Sequence, residues 1–183
     1  MAKRPSKSYP VWSHVKAKLV TFDQRGLMDV IHDLYAANKD NQAFLHTRFE
    51  LGDDVLEPYK LTISRWLWPD VIRNQDVSVA KARQAISSYS KAVNNPAGLA
   101  ELTVFYCEQA IGFSNDVGYS DESYLDAFVR MFKQALVAVS EVPAARQAAF
   151  LERLNQLRAI SHIGYGVGDE IDYLFEKSVE RRS

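Results

Sequence analysis

Apolar residues recur along this chain at every third or fourth position, a period that predicts helices rather than strands. The clearest run is Leu27, Val30, Ile31, Leu34 and Tyr35, which together form one stripe of a 3.6-residue helix. Thr21 with Gln24 three residues on reads as a capping box at its start, and Asn38 as its end. A shorter helix precedes it, over about Val11 to Val20. Asp40 or Asn41 is expected to cap a third helix that carries Phe44, Leu45 and Phe49 and stops at Gly52. A fourth spans about Asp53 to Leu67, with Leu56, Tyr59, Ile63, Trp66 and Leu67 on one side. Pro69 blocks its continuation, and Pro58 sits either in its first turn or at a kink.

The fifth predicted helix runs from about Ser78 to Val93, with Ala82, Ala85, Ile86 and Tyr89 inward. Asn95-Pro96 is a cap followed by a first-turn proline and opens the sixth. Its stripe of Leu99, Leu102, Phe105, Tyr106, Ala110 and Phe113 is widened by Val104, Cys107 and Ile111 to nearly every side. A helix apolar all round belongs at the centre of a core. Ser120-Asp121-Glu122 caps the seventh, which carries Leu125, Phe128, Val129, Phe132, Leu136 and Val139. Pro143 opens the eighth, a turn at Gly164, Gly166 and Gly168 follows, and Ile171, Leu174 and Phe175 mark a last helix. The β-favouring runs Leu61–Trp68 and Leu102–Tyr106 lie inside longer helical stripes and are read as helix.

The pattern therefore predicts an all-α fold of about nine helices in antiparallel hairpins, forming one domain over residues 10–178. A compact bundle and a short α-solenoid both fit, because no repeat of about 30–45 residues stands out. Residues 1–9 form a basic tail and 179–183 a frayed end.

Charge narrows the partners. With 22 basic and 23 acidic residues the net charge is −1, which gives no global field toward nucleic acid or an anionic membrane. Nucleic-acid binding then needs a local basic face, for which Lys60, Arg65, Lys81, Arg83 and Lys91 are the candidates. A single cysteine, Cys107, excludes a disulfide framework and a cysteine metal site, and is expected to be a buried, inert thiol. No run approaches about 18 apolar residues, and the first residues lack a signal peptide's apolar segment, so a cytoplasmic protein without a membrane span is expected.

The segment Leu34-Tyr35-Ala36-Ala37-Asn38-Lys39-Asp40-Asn41-Gln42-Ala43-Phe44-Leu45 resembles a family of uncharacterised bacterial helical proteins, a domain of unknown function. So does Ile163-Gly164-Tyr165-Gly166 with the following Asp172-Tyr173-Leu174 helix. The resemblance implies a bacterial cytoplasmic protein and assigns no substrate, cofactor or site residue.

Chemistry is sparse. Asp29, His32 and Asp33 have a spacing used by helical metal sites, but lie opposite the apolar stripe of their helix. A solvated polar face is expected there, with no metal. Glu101 and Glu108 share one side of the most buried helix. They either form a polar strip that reaches solvent, pair with Arg or Lys, or form the floor of a pocket with raised carboxyl pKa. Arg48, on an apolar arc with Phe44 and Leu45, either pairs with a core carboxylate or meets an anionic ligand. The glycine turn at 164–168 reads as a phosphate cradle only until Asp169 and Glu170, which repel phosphate, are noticed. Trp66 belongs to the core stripe. Trp68 points elsewhere, and if exposed makes an interaction hot spot with Arg65. His14, His46 and His162 are isolated in sequence.

No residue is assigned a catalytic role, and no cofactor is implied. The favoured reading is a non-enzymatic helical module that binds a protein partner, with Trp68, Arg65, Arg48, Glu101 and Glu108 as candidate contacts. A small-ligand binder or enzyme with a carboxylate- and arginine-lined pocket is the first alternative, and a nucleic-acid-binding protein the second. Oligomeric state is left open.

Overall fold

A computed structural model describes residues 9–160 and 166–180. Every regular element among them is helical: nine α-helices and one 3-10 turn. The chain separates into two compact units, residues 1–42 and 43–183.

The first unit holds α1 (Trp12–Leu19) and α2 (Gln24–Ala37). Asp23, not Thr21, caps α2, accepting the Gly26 amide at 2.7 Å. The Thr21 hydroxyl is already used at the end of α1, where it donates to the Lys18 carbonyl at 2.7 Å. Neither helix contains a buried residue, because two short helices cannot enclose a core. Asp29, His32 and Asp33 are all exposed on α2.

α3 (Lys39–Arg48) starts where the Asn38 side chain accepts the Asn41 amide at 2.8 Å, so the cap lies two or three positions before the predicted one. It ends earlier than Gly52, with Glu50 in a left-handed conformation at φ 53°. α4 (Glu57–Leu67) carries Pro58 in its first turn, so the proline shortens this helix rather than bending it. Its side chains Tyr59, Ile63 and Leu67 are buried. α5 (Val79–Ala92) is capped by Ser78, starts within a residue of the predicted position, and buries Ala82, Ala85, Ile86 and Tyr89.

α6 (Pro96–Val117) begins at the Asn95 cap and ends at Gly118, which takes the left-handed conformation favoured by glycine. Its buried residues, among them Leu102, Val104, Tyr106, Cys107, Ile111 and Phe113, occupy almost every side, as its apolar pattern predicted. α7 (Glu122–Ser140) presents one stripe from Tyr124 to Val139. α8 (Ala144–Ile160) and α9 (Val167–Glu180) complete the unit. Gly164 and His162 lie outside the described residues. Gly166 turns at φ 71°, and Gly168, Asp169 and Glu170 fall in the first turn of α9.

The most extensive helix contacts join α6 with α7, α4 with α5 and α4 with α6; α7 also meets α9 and α8, α6 meets α8 and α5, and α8 meets α9 more lightly. Three helical hairpins are thus stacked in chain order, with α6 touching α4, α5, α7 and α8. A stack this short is a bundle in its packing and a solenoid in its order.

Candidate binding site

The carboxylates of α6 come first, because acid–base chemistry would need them. Glu101 and Glu108, two turns apart, both face Arg153 of α8. Arg153 donates through Nε to Glu108 Oε1 at 2.7 Å, through Nη2 to Glu108 Oε2 at 2.8 Å, and through Nη1 to Glu101 Oε2 at 2.6 Å. Lys60 of α4 reaches Glu101 Oε1 at 2.8 Å. The four side chains are 21–30% exposed. Burial alone would push the Glu101 carboxyl up. The hydrogen bonds and charges of Arg153 and Lys60 outweigh that and hold it below the usual range. The arrangement is a two-acid, two-base staple between α4, α6 and α8, with each carboxylate engaged by a cation.

Arg48 serves another helix end. Its Nη1 donates to the carbonyl of Ala92, the last residue of α5, at 3.0 Å, where a cation is favourable to the helix dipole. It lines a small cleft of about 260 Å³ with Glu50, Tyr89 and Asn95. Cys107 is fully buried, and burial pushes its thiol well up, away from thiolate chemistry. Among the described residues no three His, Cys, Asp or Glu side chains converge as a metal site requires.

The opposite end of α5 is different. Here a cleft of about 680 Å³ opens between the last turn of α4, the 68–78 connection, the start of α5 and the far end of α6. Arg65 and Trp66 come from α4, Ser78 and Lys81 from the start of α5, Phe113 from α6 and Tyr119 from the α6–α7 connection. The Lys81 ammonium lies 3.7 Å from the centre of the Trp66 ring, and the Arg65 guanidinium 4.5 Å from it. Both distances are measured to one ring, so the two charges lie within about 8 Å of each other. At that range two cations repel by roughly 0.5–2 kcal/mol for effective dielectric constants of about 80 to 20. Neither forms an ion pair among the described residues. Arg65 makes only a long hydrogen bond, 3.4 Å, to the Asp76 carbonyl.

Local sequence builds this corner. Pro69 is buried and ends α4. Asp70 caps the 3-10 turn Val71–Arg73, accepting the Ile72 and Arg73 amides at 3.0 and 3.2 Å. Asn74 follows at φ 51°, a left-handed conformation that asparagine tolerates better than most residues. The Gln75 side chain accepts the Asp70 amide at 3.3 Å, and the Gln75 amide returns to the Asp70 carbonyl at 3.2 Å. The Ser78 amide donates to the Trp66 carbonyl at 2.9 Å, tying the start of α5 to the end of α4. From below, the Tyr124 hydroxyl donates to the carbonyls of Leu67 at 2.9 Å and Ala110 at 3.3 Å, fixing α4 against α6. The cleft wall is preformed by these backbone and side-chain hydrogen bonds.

Trp68 does not line this cleft. Its ring rests on the backbone of α6 at Gly112, so closely that a Cβ there would collide with it, and it remains 40% exposed. Arg65 therefore engages Trp66 rather than Trp68. Of the five candidates named from sequence, the structure brings Glu101 and Glu108 together on Arg153, sets Arg65 in the cleft, and leaves Trp68 and Arg48 elsewhere. Sequence reasoning missed Trp66 and Tyr119 as cleft residues and named Lys81 only within a basic face. A tryptophan with cations at both −1 and +15 carries no local signature. Lys60, another member of that face, is committed to Glu101 and also lies 5.4 Å from the Phe105 ring centre.

No family model matches the chain, and no curated protein or solved structure matches it either. No helix among the described residues is long and apolar enough to cross a membrane.

Proposed function

We propose that the chain is a non-enzymatic binding module that holds a protein partner at the cleft beside Trp66. One observation carries this reading: a preformed cleft of about 680 Å³ sets Trp66 and Tyr119 beside two cations that form no ion pair among the described residues. Aromatic and arginine side chains in a shaped recess are what protein interfaces use as anchors. Catalysis is the weaker alternative, because Glu101 and Glu108 are engaged by Arg153 and Lys60 rather than turned toward a substrate. Nucleic-acid binding is weaker too. Lys60 is withdrawn from the basic face, and the Trp66 ring that would stack a base is approached by two cations instead. We extend the proposal to a bacterial cytoplasmic protein on the resemblance at Leu34–Leu45.

The test is site-specific photo-crosslinking in extract of the native cells. A benzophenone amino acid replaces Val71, which lines the cleft and is half exposed. A discrete protein adduct is expected from this position, and it should disappear when Arg65→Glu is added. No protein adduct, an adduct indifferent to Arg65→Glu, or one removed by nuclease would overturn the reading.

A further inference from the structure

We infer that the cleft takes a carboxylate-bearing, acidic stretch of its partner, seated against Arg65 and Lys81 at the start of α5. The inference rests on the binding-module reading above and adds the chemistry of the bound segment.

Five cations elsewhere in the second unit pair with carboxylates. Arg153 has Glu101 and Glu108, Lys60 has Glu101, Arg158 has Asp172 and Glu176, Arg130 has Asp126, and Arg73 has Asp70. Arg65 and Lys81, like Arg83, Lys91, Lys133 and Arg146, form no such pair among the described residues, and what sets these two apart is that they lie within about 8 Å of each other on one ring at a cleft. Asp76 is the one acid among the residues lining the cleft, and it forms no ion pair with either cation.

The two ends of α5 sharpen the point. Its C-terminus has a cation, Arg48, on the last carbonyl, where the helix dipole welcomes it. Its first turn contains no acid and instead carries Lys81, the charge that the dipole disfavours there. An anion entering the cleft relieves both the Arg65–Lys81 repulsion and this mismatch, with Ser78 completing the rim. The occupant is a peptide rather than a bare anion because the remaining wall is partly apolar. Val71 and Tyr119 offer apolar surface that inorganic phosphate cannot use and that the side chains flanking a glutamate can. Guanidinium and ammonium groups bind carboxylates by charge-assisted hydrogen bonds, so the acid is read by charge and its neighbours by contact.

The experiment follows amide and indole resonances of the full chain during titration with the peptide acetyl-Leu-Glu-Glu-Leu-Glu-amide. Saturable shifts are expected at the Ser78–Lys81 amides and the Trp66 indole. The glutamine analogue should bind about tenfold more weakly. Arg65→Gln and Lys81→Gln should each weaken the acidic peptide by about fivefold while the melting temperature holds. Raising salt from about 50 to about 300 mM should weaken it as well. The inference is overturned if these resonances do not respond at millimolar peptide, or if the glutamine analogue binds equally. It is also overturned if inorganic phosphate or an oligouridine RNA binds the same groups more tightly. Failure of this inference and failure of the parent reading are separable. A protein adduct at position 71 with no response to the acidic peptide removes the carboxylate seat and keeps the module. Peptide binding without any protein adduct removes the protein partner and keeps the seat.

Discussion

Around Arg153 each carboxylate has a cation, and around Trp66 neither cation has a carboxylate. Arg153 sits between Glu108 and Glu101, with Lys60 closing the far side, and all four side chains are mostly buried. Arg65 and Lys81 approach one aromatic ring at an open cleft, and neither forms an ion pair among the described residues. The difference teaches what each set of charges is for. A closed set removes its own field and holds helices together. An open set keeps its field, raises the energy of the unbound protein slightly, and is ready for something that arrives from outside.

The largest expected effect comes from breaking the closed set. Arg153→Ala strands two half-buried carboxylates and should cost about 2–3 kcal/mol in urea unfolding, somewhat below the loss typical of a fully buried pair. Adding Glu101→Gln and Glu108→Gln should recover at least half, because the stranded charges, not the lost contacts, dominate. The acid limb provides a second readout. The Glu101 carboxyl is held below its usual value, near 4.5, so around pH 4 the folded chain binds fewer protons than the unfolded chain. That contribution is fully present above the unfolded value and is lost as pH falls through the lower, folded one. Stability of the wild type should therefore drop on acidification in this window, and the drop should be smaller in Glu101→Gln. A loss of under about 0.5 kcal/mol in Arg153→Ala would mean that the staple is ornamental.

A middle-sized effect separates two tyrosines. The Tyr124 hydroxyl donates to the Leu67 and Ala110 carbonyls, and Tyr124→Phe should cost about 1–2 kcal/mol. The Tyr106 hydroxyl is equally buried but has no hydrogen-bond partner among the described residues, so Tyr106→Phe should be neutral or mildly stabilising. Equal losses in chemical denaturation would show that both hydroxyls are satisfied. The pair also marks the limit of the comparison above: an unmatched polar group inside the core only costs stability, whereas one at a cleft can meet a ligand.

How much of this was legible in the sequence follows the range of each interaction. Caps, stripes and stops act over three or four residues, so the helices and the central place of α6 could be read from Asn95-Pro96 and the all-round apolar run after it. The errors were local competitions: Thr21 was taken by the preceding helix, leaving Asp23 as the cap. Glu101 and Glu108 could be placed on one side of a helix. Their partner Arg153 could not, because it lies 45 and 52 positions away and nothing near it announces the pairing. The cleft is a product of tertiary packing in the same sense. Lys81 reaches Trp66 only because an eleven-residue connection, ordered by Asp70, Asn74 and Gln75, returns α5 alongside the end of α4. The choice of Trp66 over Trp68 was decided by Gly112, a position whose missing side chain admits the Trp68 ring against α6.

The smallest expected effect on stability is the most discriminating for the open set. Lys81→Glu removes the repulsion from Arg65, places an acid in the first turn of α5, and gives Arg65 a neighbour of opposite sign. It also gives up a cation–π contact with Trp66 worth roughly 0.5–1 kcal/mol at an exposed site. The gains slightly outweigh the loss, so the variant should be more stable than the wild type by about 0.5 kcal/mol at low salt, fading toward zero as salt screens the charges. The same substitution should abolish binding of the acidic peptide. Stability rising while binding falls is the signature of a site whose charges are held for a ligand rather than for the fold. If Lys81→Glu instead destabilises the protein by 1 kcal/mol or so at low salt, the ammonium on Trp66 is a structural contact, and the contrast with Arg153 disappears.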